Sequence, residues 1–140
     1  MSLTVAEARA EILTLLKAAW DAGAGGAPLL YPNVAGEPPA TGSWGRASVI
    51  HGTGAQASLA NAGGLRRWGR QGLVVVEIYS EPGKGLSQQD PLAILVLNAF
   101  EGQTTPGAVW FRNVRYNEVG RDGKWNRVNV IADFEYDQIK

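Results

Sequence analysis

Apolar residues recur every three to four positions near the start of the chain and every two positions in several later segments. The first pattern places one stripe on a helical face, made of Ile12, Leu13, Leu16, Ala19 and Trp20. Thr4 and Glu7 have the spacing of a capping box, in which each side chain accepts a backbone N–H of the other residue. Glycines from Gly23 onward disfavour further helix. The pattern therefore predicts a helix capped by Thr4 that ends near Gly23.

Segments with a period of two, or rich in β-branched residues, predict a sheet. The run 43–51 places Trp44, Arg46, Ser48 and Ile50 on one side and Ala47 and Val49 on the other. The run "LVVVEIYS" suits a central strand whose core face carries Val74, Val76 and Ile78. Residues 108–137 read as a β-hairpin that turns near 120–123 and buries Val128, Val130, Ala132, Phe134 and Tyr136. Among the early prolines, 29–31 is expected to be a short extended piece.

A second helix and a loop complete the expected fold. Asp90 and Pro91 suit a helix start with aspartate as N-cap, and the helix is expected to run to about Phe100. Segment 52–64 is rich in glycine and alanine, with too few large side chains to offset the entropy of ordering it, so we predict a mobile loop. The order of elements predicts one α+β domain over 1–140. Its mixed, mostly antiparallel sheet has about four to five strands, with two main helices packed on one face.

Composition narrows the functions open to such a domain. The 140 residues carry 13 basic and 13 acidic side chains, so no net charge draws the chain to nucleic acid or to an anionic membrane. Without cysteine and with one histidine, His51, the chain is expected to hold no metal of the usual thiolate or histidine type, and no cofactor. The N-terminus lacks a basic opening, and no apolar run approaches the ~20 residues of a membrane span. A soluble protein made in the cytosol is expected.

The stretch "SEPGKGLS", 80–87, lies between a predicted strand and a predicted helix, as a phosphate-binding loop would. That motif needs a glycine five positions before its glycine–lysine pair, and a serine or threonine after the lysine, to bind phosphates and Mg²⁺. Here Ile78 takes the place of the first glycine and Gly85 follows Lys84. A structural turn is therefore favoured. Nucleotide binding through Lys84 remains as an alternative.

Two further groups invite a chemical reading. His51 could act as a base, but no recognisable nucleophile lies near it in sequence, so a structural role is favoured. Asp133, Glu135 and Asp137 share one face of the last strand and could hold a cation. A charged outer face that discourages unwanted strand pairing explains them more simply. No catalytic residues are assigned, and the chain is not expected to be an enzyme.

Arginine and aromatic residues are interleaved in two places. The first group is Arg66, Arg67, Trp68 and Arg70, and the second is Trp110, Arg112, Arg115, Tyr116, Trp125 and Arg127. Such groups bind nucleic acid by phosphate contacts and stacking, and they are also enriched in protein interfaces. The net charge of zero favours a protein interface. For Trp110 and Trp125, burial in the core is an equally good reading.

The assembled features resemble a known family. From Trp20 to the end, the chain resembles the tail terminator proteins of long-tailed bacteriophages, also described as minor tail or tail completion proteins. The stretches that carry the resemblance are "SWGRASVIHGTGAQASL", "RRWGRQGLVVVEIYSEPGKGLS", a helix ending in "FEG", and "GRDGKWNRVNVIADFEYD".

The resemblance implies a virion structural protein that forms a ring, expected to be a hexamer, on the finished tail tube. The ring would stop tube polymerisation and form the head-tail joining surface. Its partners would be other copies of itself, the tail tube protein and the head-tail connector protein, with no membrane and no specific nucleic acid. Assembly in the host cytoplasm would place it at the head-tail junction of the virion. Alternatives are another phage neck or head-closure subunit, or a small nucleotide- or nucleic-acid-binding domain.

Within this reading, we expect a set of basic and aromatic residues to contribute to the subunit or tail-tube interface, since a capping ring needs surfaces complementary to its partners. The set is Arg66, Arg67, Trp68, Arg70, Arg112 and Arg115.

Overall fold

A computed structural model describes residues 3–31, 36–58, 63–83 and 86–140. The elements in chain order are α1 (Val5–Gly23), β1 (Leu29–Leu30), β2 (Trp44–Gln56), β3 (Arg67–Ser80), α2 (Asp90–Phe100), β4 (Trp110–Asp122) and β5 (Trp125–Ile139). The strands form one five-stranded sheet in the order β1-β2-β3-β5-β4. β1 is parallel to β2, and the other pairs are antiparallel. The predicted α+β class, with a mixed and mostly antiparallel sheet, is confirmed.

Both helices pack on the same face of the sheet, and the core lies between the two layers. Val74, Val76 and Ile78 of β3 have no exposed surface, as their alternation predicted. Their neighbours on β5 are the predicted residues Val128, Val130 and Ala132, and on β2 they include Ala47. The helices contribute Ala8, Ile12, Leu16 and Trp20 from α1 and Leu92, Ala93, Val96 and Phe100 from α2.

The first helix begins and ends as predicted. The Thr4 hydroxyl accepts the backbone N–H of Glu7 at 3.1 Å, and a Glu7 carboxylate oxygen accepts the N–H of Thr4 at 3.0 Å, which completes the capping box. The ring of Trp20 lies against the backbone of Gly45, where an added Cβ would come within 2.8 Å of it. The Trp20 indole N–H donates to the Ala27 carbonyl at 2.7 Å. This side chain therefore ties α1 to the chain that enters the sheet.

Two predicted boundaries are wrong. The N-cap of α2 is Gln89, with no side-chain cap bond, and Asp90 is the first helical residue. Asp90 fails as a cap because its carboxylate accepts the Tyr116 hydroxyl at 3.0 Å, a tertiary contact. The predicted loop 52–64 also begins too early, because β2 continues to Gln56 and pairs with β3 beyond a bulge between His51 and Gly54. Residues 59–62 lie outside the described residues, so mobility of the loop stays a prediction.

Candidate assembly surface

The sheet face turned away from the helices, here called the open face, has an apolar centre. This centre is made of Ile50, Leu73, Val75 and Ile131. Ile50 lies opposite Leu73, and Val75 lies opposite Ile131, so the four side chains adjoin across three strands. Ile50 is 52% exposed. In the described part of the chain, neither helix covers this face, so the centre is accessible to a partner.

Arginine–carboxylate pairs surround the apolar centre. Arg112 lies 2.6 Å from Glu135, Arg115 lies 3.2 Å from Asp133, and Arg46 lies 3.9 Å from Glu77. Gln71 also donates to Glu135 at 2.7 Å. An apolar centre with a charged rim is the usual anatomy of a protein interface. Because each rim charge already has a partner, the open face offers little net charge to an approaching molecule.

The carboxylates considered as a cation site each lie within 4.0 Å of an arginine. Asp133 and Glu135 form the rim pairs, and Asp137 lies 4.0 Å from Arg67. Among the residues that the structure describes, no group of three or more His, Cys, Asp or Glu could hold a metal ion. Both pairs are diagonal across the two strands, because Arg112 lies opposite Asp133 but binds Glu135, and Arg115 lies opposite Ile131 but binds Asp133.

An aromatic cluster closes one end of the open face. Trp44 stacks on Tyr79 with ring centroids 4.1 Å apart, and Trp125 meets Trp44 edge-on at 5.9 Å. Burial, together with donation of its hydroxyl to Glu77 at 2.7 Å, raises the pKa of Tyr79. Of the two tryptophans with an open assignment, Trp125 is buried at 8% exposure and Trp110 is 41% exposed. The sequence carried no direct signal for this cluster, since it depends on the register of three strands.

The predicted arginine set does not form one patch. Arg112, Arg115 and Arg67 lie on the open face, each near a carboxylate. Arg70 and Trp68 lie on the opposite, helix-bearing face, because side chains alternate along β3. There the Arg70 guanidinium donates to Gln138 at 3.1 Å and lies 5.8 Å from the Trp68 ring centroid. The role of this set in an interface stays a prediction.

His51 is packed among aromatic rings. Its Nε2 lies 2.7 Å from the Tyr136 hydroxyl, and its ring meets Phe134 edge-on at 5.2 Å. Burial, with lesser contributions from Arg9 and Arg70, lowers the pKa of His51. Nδ1 is buried without a hydrogen-bond partner in the described part of the chain. The contact with Tyr136 and the packing against Phe134 are consistent with a structural role, which stays a prediction.

The stretch 80–87 is anchored by its flanks. Ser80 and Gln89 are buried, and the Ser80 hydroxyl donates to Gln89 Oε1 at 3.0 Å. Asn126 of β5 donates to the same oxygen at 2.8 Å. Asp90, the first residue of α2, accepts the Tyr116 hydroxyl at 3.0 Å. Burial, followed by this hydrogen bond, raises the pKa of Tyr116 to about 12. Lys84 and Gly85, on which the phosphate-loop alternative depended, lie outside the described residues.

These features define a two-layer α+β subunit with an open sheet face, and comparison with known proteins identifies its family. The model of the phage tail terminator protein family matches residues 7–128. The chain therefore belongs to the phage tail terminator family, and it is a structural protein of the phage tail. This confirms the resemblance seen in the sequence.

Solved structures share the fold. One is 21% identical, with a TM-score of 0.58, and the match covers 88% of this chain and 94% of that one. Another, from the virion of a native gene transfer agent particle, is 16% identical, with a TM-score of 0.55 and coverage of 91% and 92%. No curated protein matches the chain. In the part of the chain that the structure describes, no helix is both long enough and apolar enough to cross a membrane.

Proposed function

We propose that this protein caps the tail tube as a ring, stops tube polymerisation and forms the surface that joins tail to head. The observation that carries the proposal is the family match over residues 7–128. In this role the protein acts by binding alone, without catalysis. Its partners are copies of itself, in a ring that we expect to be a hexamer, the tail tube protein and the head-tail connector protein. It assembles in the host cytoplasm and ends at the head-tail junction of the virion.

A closed ring requires each subunit to present two unlike surfaces, one for each neighbour. We propose that the open face is one of them, with a second copy as its occupant. Its apolar centre supplies the area to be buried, and Ile50 is the most exposed member. Its rim pairs are mutually neutralised, which suits contact with another copy of a chain whose net charge is zero.

The predicted interface residues enter this proposal in two groups. Arg112 and Arg115 belong to the rim of the open face, so they would orient the neighbouring subunit. The second group lies at the start of β3, away from the apolar centre. It is made of Arg66, which directly precedes the strand, and Arg67, Trp68 and Arg70. We assign this second group to contacts with another tail protein.

The molar mass in solution tests the proposal. Light scattering across a concentration series, with and without short polymerised tail tubes, should give either a hexamer or a monomer that assembles only on tube ends. Tubes treated with the protein should also stop elongating when fresh tube subunits are added. A protein that stays monomeric and does not bind tubes at any concentration contradicts the proposal.

The residue assignment is tested separately. The triple variant Arg66→Ala, Arg67→Ala, Arg70→Ala should fold and yet cap tubes poorly, because cations of the assigned contact are missing. The double variant Arg121→Ala, Lys124→Ala, at the far hairpin of β4 and β5, is the control and should cap normally. Normal capping by the triple variant would remove these residues from the interface.

A further inference from the structure

The cations of this protein differ in whether a carboxylate neutralises them. Within the described residues, those with a carboxylate within 4 Å are Lys17, Arg46, Arg67, Arg112, Arg115 and Arg127. Those with none at that distance are Arg9, Arg66, Arg70, Arg121, Lys124 and Lys140. The unneutralised cations are not scattered. Four of them, Arg9, Arg66, Arg70 and Lys140, gather at one end of the molecule, here called the basic end.

Backbone pairing and ring contacts bring the basic end together. Arg66 and Lys140 exchange two backbone hydrogen bonds, at 2.8 and 2.9 Å. The side chains of Arg70 and Lys140 both approach the ring of Trp68, at 5.8 and 5.7 Å from its centroid. Arg9 joins from α1, close enough that it and Arg70 both affect the titration of His51.

The start of α1 adds to the positive potential there. The N–H of Leu3 donates to the Asp137 carbonyl at 3.3 Å, which places this helix end beside the end of β5. A helix N-terminus carries a partial positive charge. The side-chain carboxylates nearby are weak compensation, since Glu7 is turned back into the capping box and Asp137 lies 4.0 Å from Arg67. The main-chain carboxylate of Lys140, the last residue of the sequence, accepts the backbone N–H of Arg66 at 2.8 Å. In a chain with no net charge, positive side chains therefore outnumber negative ones at this end.

We infer that the basic end is a docking surface for an acidic patch on another virion protein, bound through its carboxylates. The inference rests on the proposed function in one respect, that the partner is a component of the assembled tail. It extends the predicted group at the start of β3 by Arg9 and Lys140, and it sets Arg112 and Arg115 apart, because their charges are already paired on the open face.

The geometry favours a protein over a nucleic acid. Single-stranded nucleic acid is bound by stacking bases on free aromatic faces, whereas the Trp68 ring is already in contact with Arg70 and Lys140. The four unneutralised cations of the basic end are fewer than the ~6–10 phosphate contacts of a strong duplex-DNA binder. Arginines elsewhere on the sheet already bind carboxylates, as Arg112 does with Glu135 at 2.6 Å.

His51 provides a reporter within the protein, because it is the sole histidine. The groups around it are Tyr136, which contacts Nε2, the Phe134 ring, and the guanidinium groups of Arg9 and Arg70. Neutralising those cations with a bound anion would make protonation of the imidazole easier. Binding at the basic end should therefore raise the pKa of His51, which NMR of the ring protons measures directly.

The experiment titrates the full chain with poly-L-glutamate and follows both binding and the His51 ring signals. We expect binding that weakens as salt rises from about 0.02 to about 0.2 M, because exposed charges are screened. The variant Arg66→Gln, Lys140→Gln should bind about fivefold or more weakly at low salt. The matched control Arg121→Gln, Lys124→Gln also removes one arginine and one lysine, and it should change binding by less than about twofold.

Four outcomes would overturn the inference, three of them in the binding measurements. They are no binding of poly-L-glutamate at low salt, equal weakening by the two double variants, and tighter binding of a DNA duplex of the same total charge. Binding without movement of the His51 pKa would also oppose it, because the anion would then lie elsewhere. This experiment uses no tail tubes. A negative result would therefore not bear on the proposal that the protein caps tubes, and a failure to cap tubes would not bear on the binding of poly-L-glutamate.

Discussion

At His51, burial and two nearby guanidinium groups all lower the pKa of the imidazole below its usual 6.5. The folded protein then binds a proton less readily than the unfolded chain does, so protonation favours unfolding. The contribution of His51 to stability is fully present above about pH 6.5 and is lost as the pH falls toward the lower pKa of the folded state. His51→Gln cannot titrate. Its free energy of unfolding in urea should fall less than that of the wild type between about pH 7.5 and about 5.5. Identical slopes would show that the pKa is not lowered.

Gly72, whose side chain is a single hydrogen atom, allows close packing within the sheet. A Cβ at Gly72 would overlap the Ile50 carbonyl oxygen and lie 2.6 Å from the Phe134 ring. Gly72→Ala should therefore lower the free energy of unfolding by about 1 to 3 kcal/mol through overpacking. Gly69→Ala is the control in the same strand, because its nearest contact would be 3.9 Å away. Urea unfolding of both variants checks this, and equal stability of the two would contradict the close approach.

Among the elements, the link between β3 and α2 depends on Gln89. Gln89→Leu should cost about 1 to 3 kcal/mol, because Ser80 and Asn126 would both lose the oxygen to which they donate. Gln88→Leu is a stringent control, since the buried Gln88 Oε1 has no hydrogen-bond partner in the described part of the chain. That change should be neutral or stabilising. Thermal unfolding of the two variants compares their stabilities. A larger loss of stability in Gln88→Leu than in Gln89→Leu would show that Gln89 does not anchor the link.

The sequence predicted elements well where local chemistry decides them. The Thr4 capping box and the alternation of Val74, Val76 and Ile78 are local signals, and both are confirmed. Asp90 was misassigned because Tyr116, which is distant in sequence, binds its carboxylate. The end of β2 was missed because a glycine-rich strand has little intrinsic preference and forms here by pairing with β3. The candidate surfaces depend on strand register, so the sequence named their arginines without showing that they separate onto two faces.

For the molecule as a whole, the two proposed surfaces differ in character, as the proposed ring would require if one surface binds another copy and the other binds a different tail protein. The open face combines an apolar centre with paired charges, which favours burial against another copy. The basic end carries unpaired charge, which favours a partner of opposite sign. The two contacts should therefore differ in how strongly salt weakens them. Raising ionic strength should weaken the contact at the basic end more than the contact between subunits.

Ile50 and Ile94 allow the open face to be tested by one chemical change at two places. Both are exposed, Ile50 at 52% in the apolar centre and Ile94 at 56% on the outer side of α2. Aspartate at either site should lower the free energy of unfolding by a similar and modest amount, about 1 kcal/mol, because it suits neither a strand nor a helix interior well. In a ring, however, Ile50→Asp would bury an unpaired carboxylate at the interface. It should weaken assembly on tube ends by about thirtyfold or more, as at the centre of other interfaces. Ile94→Asp should assemble normally when mass is followed by light scattering. If the two variants assemble alike, the subunits meet through a different face.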